Sequence, residues 1–124
     1  MAEGVIATVD VAEAARRLDA GPARPDAPLL VDVREPNEFA EVRVPGARLM
    51  PLSGFAESYS GLPKDRPLLV MCAAGKRSLV ASELLVRNGY RDVSNVDGGI
   101  IAWQREGYPT TSGDPSIGDP REER

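Results

Sequence analysis

The apolar positions of this chain fall into short runs separated by stretches of helical spacing, an alternation that predicts an α/β domain with a mostly parallel sheet. Val5-Ile6-Ala7-Thr8 reads as a short strand, and Asp10-Val11-Ala12-Glu13 has capping-box spacing at the start of a helix through about Asp19, with Val11, Ala14, Ala15 and Leu18 inward. Residues 21–28 are a loop by composition. Residues 29–33 form an apolar run broken only by Asp32, as in a parallel strand covered on both faces. Pro36 suits the first turn of a short helix carrying Glu38 and Phe39, and Val44-Pro45-Gly46-Ala47 turns the chain into a strand over residues 47–50. Ser53 is positioned to cap a short helix through Tyr59, and residues 61–67 are a turn-rich connector. Residues 68–71 are a second buried strand, after which Val80, Ala81, Leu84 and Leu85 recur at helical spacing until Asn88-Gly89 supplies a stop. Residues 93–96 read as the last strand, and Gly98-Gly99 permits a tight turn into a helix holding Ile100, Ile101 and Trp103, the last read as core packing. From Ser112 the chain contains Gly-Asp-Pro twice and ends Arg-Glu-Glu-Arg, so the expected organisation is a domain over residues 1–111 and a flexible polar tail over residues 112–124.

Composition narrows the function. With 124 residues, 42% of them apolar and 5% aromatic, the chain suits one domain with an aliphatic core. No window approaches the roughly eighteen apolar residues of a membrane span, and Met1-Ala2-Glu3-Gly4 opens no basic-then-apolar leader, so a cytoplasmic location without membrane contact is expected. One cysteine forbids an internal disulfide, and the absence of histidine removes the commonest metal ligand and general base; neither a metal centre nor Cys-His catalysis is expected. A net charge of −4 argues against nucleic acid, so any bound anion must be held locally.

The place to hold one is Cys72-Ala73-Ala74-Gly75-Lys76-Arg77-Ser78, where the lone cysteine tops a strand-loop-helix unit. A helix begins with unpaired N–H groups and the positive end of its dipole, both of which favour an anion such as a thiolate. Lys76 and Arg77 add positive side chains, and Gly75 permits backbone angles that turn N–H groups toward the sulfur. All three effects lower a thiol pKa, and they weigh against the blander reading of Cys72 as a small core residue. Lys76 is otherwise a solubilising charge, and Arg77 either holds a substrate or braces the loop through an ion pair. Asp32, in an apolar strand, needs a partner; bonding to backbone N–H groups or to an arginine fits better than direct catalysis, and Arg34 fits an ion-pair partner better than a substrate ligand.

Cys-x-x-Gly-x-Arg-Ser after an apolar strand resembles the active-site loop of the rhodanese-like sulfurtransferases. Leu30-Val31-Asp32-Val33-Arg34-Glu35 with Glu38-Phe39 and Val44-Pro45-Gly46-Ala47 resembles that family's first motif, and Gly98-Gly99-Ile100-Ile101-Ala102-Trp103 with Gly107-Tyr108-Pro109 its last. The chain departs from the pattern at Val42-Arg43, where the family has Gly-His, and Arg43 is expected at the surface or in an ion pair.

The resemblance implies a rhodanese-like fold, a five-stranded mostly parallel sheet with helices on both faces and a loop from Ala73 to Ser78 cradling the Cys72 sulfur. It also implies sulfur transfer without a cofactor, from a small anionic donor such as thiosulfate to cyanide, a thiol or a sulfur-relay protein, through a Cys72 persulfide. Two other readings stand beside it. One is a docking module that has lost catalysis, against which the intact Cys72 and its cationic loop speak. The other is a phosphatase or arsenate reductase, whose related loops run Cys-x5-Arg; here only four residues separate Cys72 from Arg77.

Overall fold

The computed structural model describes residues 6–19 and 27–113. Val5, most of the loop expected over residues 21–28 and the tail beyond Gly113 lie outside the described residues. The strands are β1 (Ala7–Val9), β2 (Leu29–Asp32), β3 (Arg48–Leu49), β4 (Leu68–Met71) and β5 (Val93–Val96). They form one five-stranded sheet in the order β1-β5-β4-β2-β3, and each neighbouring pair runs parallel. The helices are α1 (Val11–Leu18), α2 (Pro36–Glu41), α3 (Phe55–Ser58), α4 (Lys76–Arg87) and α5 (Gly99–Arg105).

Side-chain alternation along the strands splits the core in two. Leu30, Leu69, Met71 and Val96 meet Val11 and Ala14 of α1, Phe39 of α2, and Ile100, Ala102 and Trp103 of α5 on one face. Val31, Leu68, Val70 and Val93 meet Phe55 of α3 and Ala81, Leu85 and Val86 of α4 on the other. With each buried Leu, Val or Ile contributing about 1.5–3 kcal/mol, the two layers hold β4 rigidly at the centre. Among the described residues no helix is long and apolar enough to cross a membrane.

Several local expectations are corrected. Asp10 caps α1 by accepting the Glu13 N–H at 2.8 Å, but the Glu13 carboxylate bonds Arg16 and Arg17 and does not complete the box. Ser53 caps no helix: it lies in a 3-10 turn, Leu52–Gly54, where its hydroxyl donates to Glu35 Oε1 at 2.9 Å, and α3 starts after it. The inward face of α4 is Ser78, Ala81, Ser82, Leu85 and Val86, whereas Val80 is 52% exposed. Two serines sit in the core because their hydroxyls are bonded, Ser82 to Ser78 O at 2.7 Å and Ser78 within the site described below.

Arg43 is the largest departure. It is 4% exposed, not at the surface, and it pairs with carbonyls instead of a carboxylate. Its Nη1 donates to Phe39 O at 3.3 Å and Gly113 O at 2.9 Å, and its guanidinium lies 5.1 Å over the Phe39 ring. The end of α2 presents the negative end of its peptide dipoles there, which makes a buried cation tolerable. Backbone bonds between Arg43 and Thr111 and from Gly113 N to Ala40 O fasten the following segment beside α2.

Candidate active site

β4 runs up the middle of the sheet between β5 and β2, so Cys72 emerges at the carboxyl end, where open parallel sheets place their ligands. Gly75 takes φ +108°, a left-handed conformation that turns the chain back before α4 begins at Lys76. The turn aims donors at the cysteine: Gly75 N–H reaches Sγ at 3.1 Å, and Ser78 Oγ lies 3.3 Å from it. Burial pushes the Cys72 thiol up, but the Ser78 hydroxyl and the N–H groups of Ser78, Gly75 and Ala74 together outweigh burial and bring it below its ordinary value.

The start of α5 fixes the direction of those donors. Ile100 N–H donates to Cys72 O at 2.9 Å and Ile101 N–H to Ala73 O at 3.1 Å. In a trans peptide the N–H points opposite to the C=O, so tying the Ala73 carbonyl to α5 turns the Ala74 N–H toward the sulfur. Gly99 makes this approach possible: at φ +57°, a Cβ there would lie 2.4 Å from both Cys72 O and Ala73 O.

The two loop cations have different surroundings. Lys76 is exposed at the first residue of α4. Arg77 donates Nη1 to Glu38 Oε1 at 2.8 Å and Nη2 to Glu38 Oε2 at 2.9 Å, joining the loop to α2. The Arg77 hydrogen bonds hold the Glu38 carboxyl down at about 2, and Glu38 in turn pushes Arg77 above its ordinary value.

Asp32 and Arg34 meet each other beneath the loop. Arg34 N–H, Nε and Nη2 all donate to the Asp32 carboxylate, at 3.0, 3.1 and 2.8 Å to its nearest oxygens. Two further guanidinium donors go to Glu38 O at 3.2 Å and Val42 O at 2.7 Å. A buried pair with its donors so occupied orients β2 against α2 and leaves Arg34 turned toward protein, not toward ligand. Trp103 is buried too, donating Nε1–H to Pro109 O at 2.8 Å.

Asn95 belongs to this site although the sequence reading passes over it. It is 6% exposed, accepts from Ser78 Oγ at 2.5 Å and donates Nδ2–H to Gly75 O at 3.2 Å. The signal that would have found it is the one that singled out Asp32, a polar side chain inside a fully buried parallel strand.

A buried thiol ringed by hydrogen-bond donors at a strand terminus is a site built to hold negative charge on sulfur. A model of the rhodanese-like domain family matches residues 10–106. Over 81 residues the chain is 43% identical to a sulfurtransferase of Allochromatium vinosum, a match spanning 65% of this chain and 76% of that protein. It is 30% identical over 76 residues to the thiosulfate sulfurtransferase GlpE of Pseudoalteromonas translucida, spanning 61% of this chain and 72% of that one. The crystal structure of a rhodanese-related protein from Thermoplasma volcanium superposes with a TM-score of 0.75 at 30% identity, covering 85% of this chain and 97% of that chain. The chain belongs to the rhodanese-like domain family and has the family's fold.

Proposed function

We propose that this chain is a sulfurtransferase that carries a sulfane sulfur on Cys72, moving it from a small anionic donor such as thiosulfate to a nucleophilic acceptor. The observation that carries the reading is the ring of donors around Sγ, from Gly75 N–H at 3.1 Å to the Ser78 hydroxyl at 3.3 Å. In the first displacement the Cys72 thiolate attacks the outer sulfur of thiosulfate; a new S–S bond forms, the donor's S–S bond breaks, and sulfite leaves with the bonding pair. In the second, cyanide or a thiol attacks the terminal sulfur of the persulfide, and the pair returns to Cys72 as thiolate. Neither step requires a general base, which agrees with the absence of histidine.

The N–H groups of Ala74, Gly75 and Ser78 stabilise the charge on sulfur in both states, and Ala73 joins the loop to β4. Lys76, exposed at the rim, attracts the sulfonate end of the donor; Arg77 holds the loop through Glu38, with Asp32 and Arg34 supporting α2 behind it. A protein acceptor in a sulfur relay fits the same chemistry, as does a cytoplasmic setting, where a lone thiol stays reduced. A phosphatase reading has less support: four residues separate Cys72 from Arg77, and the guanidinium that would clamp a phosphate is engaged by Glu38. The test is mass spectrometry of the intact protein. Incubation with thiosulfate makes it one sulfur atom heavier, cyanide removes that atom as thiocyanate, and Cys72→Ser abolishes both while remaining folded. A wild-type protein that gains no sulfur from thiosulfate or from another persulfide donor overturns the catalytic reading in favour of a docking module.

A further inference from the structure

The Ser78 hydroxyl has two acceptors and one proton. Its oxygen lies 3.3 Å from Cys72 Sγ and 2.5 Å from Asn95 Oδ1, in a pocket where Ser78 is 0% exposed and Asn95 6%. A hydroxyl donates one hydrogen bond, so the two claims exclude each other. The Asn95 amide does not turn over to relieve the conflict, because its Nδ2 is held by Gly75 O at 3.2 Å, and inversion would set two oxygens face to face.

We propose that Asn95 is a positioning residue that competes with the Cys72 sulfur for the Ser78 proton and so sets how readily the thiolate forms and leaves. With Cys72 as a thiol the chain is satisfied from end to end: S–H donates to Ser78 Oγ, and Ser78 O–H donates to Asn95 Oδ1. When Cys72 is a thiolate the Ser78 proton turns to the sulfur and Asn95 Oδ1 is left buried without its donor, which costs free energy. Asn95 thereby favours the protonated resting state while its Nδ2 keeps Gly75 in the ring. This rests on the sulfurtransferase reading only for its consequence, a brake on thiolate departure when the persulfide is discharged. The competition itself is a property of the unloaded protein.

The experiment therefore uses no sulfur donor: the pH midpoint of Cys72 alkylation by iodoacetamide is measured in the wild type, Asn95→Val, Ser78→Ala and the double variant. Valine suits a buried parallel strand and removes the acceptor. Competition predicts that Asn95→Val lowers the midpoint by about one unit and that the same change in the Ser78→Ala background does not lower it. A residue that merely supports the loop behaves oppositely, since losing the Gly75 anchor loosens the N–H ring and raises the midpoint in both backgrounds. A midpoint in Asn95→Val that is unchanged or raised, or lowered equally in both backgrounds, overturns the proposal. Lys76 and Arg77 on α4, Glu38 on α2, Asp32 and Arg34 at the end of β2, and Asp97 after β5 surround the loop and are the same in all four proteins, so their fields cancel in the comparison. Where Asn95→Val fails to fold, the wild type gives the answer by NMR. The Asn95 side-chain amide signals move with the Cys72 titration if the Ser78 proton changes partners, and signals that ignore it overturn the proposal.

Discussion

Arg77 and Glu38 tie the cysteine loop to α2 through two parallel hydrogen bonds of 2.8 and 2.9 Å. The same Glu38 carboxylate accepts the Glu35 N–H at 2.9 Å, and its backbone carbonyl accepts from Arg34, whose other donors hold Asp32. One polar clamp thus connects the ends of β2 and α2 to the first turn of α4. The Arg77 and Glu38 side chains are 36% and 30% exposed, so water screens the pair and its contribution lies in orientation more than in stability.

Acid should loosen this clamp. The Glu38 carboxyl is held down from 4.5 to about 2, first by the Arg77 hydrogen bonds. A carboxylate whose folded pKa is depressed stabilises the fold above its unfolded pKa and loses that contribution as pH falls through the folded one, so the loss runs from 4.5 down to about 2. Urea titrations of Glu38→Gln are expected to show a change well under about 1 kcal/mol at neutral pH and a shallower decline than the wild type over the acid window. Glu13, also held at about 2 by Arg16 and Arg17, stays in the variant, so the decline is reduced and not removed. An acid limb identical to the wild type would mean that the pair does not form in solution.

The loop charges should matter little to the thiol itself. Arg77 faces Glu38, Lys76 is exposed, and the groups that bond the sulfur are N–H and O–H donors. Lys76→Ala and Arg77→Ala are each expected to move the alkylation midpoint of Cys72 by less than about half a unit. Ser78→Ala should raise it by about one unit, because a hydrogen bond to a charged group contributes roughly 1.5–3 kcal/mol and one unit corresponds to about 1.36. A larger shift from Arg77→Ala than from Ser78→Ala would return the effect to the cationic side chains.

The fold was legible because each strand of the central layer is a local event: residues 68–71 are an apolar run, residues 93–96 carry valine at both ends, both are closed by glycine-bearing turns, and both appear as read. Cys72 and its loop were legible for the same reason, since strand end, Gly75 and helix start are contiguous in sequence. What escaped is what folding brings together from a distance. Asn95 meets Ser78 across 17 positions and Arg43 meets Gly113 across 70, and neither separation leaves a periodic mark. Of the apolar positions at helical spacing in α4, Ala81 and Leu85 are buried and Leu84 packs against the core, while Val80 lies outside, because the burial of Ser78 and Ser82 depends on hydrogen bonds that a hydropathy pattern does not weigh.

Arg43 should prove structural and separable from the chemistry. Arg43→Met keeps an unbranched apolar stem over Phe39 but strips Gly113 O and Phe39 O of their donor. A loss of about 1.5–3 kcal/mol by urea unfolding is expected, with the Cys72 alkylation midpoint unchanged. Truncation divides at the same place: removing residues 114–124 should leave the melting temperature nearly unaltered, whereas removing residues 111–124 deletes the Thr111 and Gly113 bonds and lowers it by several degrees. Equal effects from the two truncations would show that the clamp around Arg43 adds nothing.

Gly99→Ala tests whether the start of α5 sets the direction of the loop. Its added methyl group would lie 2.4 Å from the carbonyl oxygens of Cys72 and Ala73, which are backbone atoms and not the ends of flexible side chains, so the clash is relieved only by moving backbone. Either α5 retreats, breaking the Ile100 and Ile101 bonds to those carbonyls, or the loop peptides rotate and carry the Ala74 N–H away from the sulfur. Gly46→Ala is the matched control, because φ is +83° there and no atom lies within 4 Å of an added Cβ. That variant bears backbone strain alone, on the order of 1 kcal/mol, with no effect on Cys72. For Gly99→Ala the expectation is a loss of at least about 2 kcal/mol together with a raised alkylation midpoint, since both outcomes of the clash disturb the donor ring. If Gly99→Ala costs no more than Gly46→Ala and leaves the midpoint in place, α5 does not orient the loop, and Gly75 with the first turn of α4 must do so unaided.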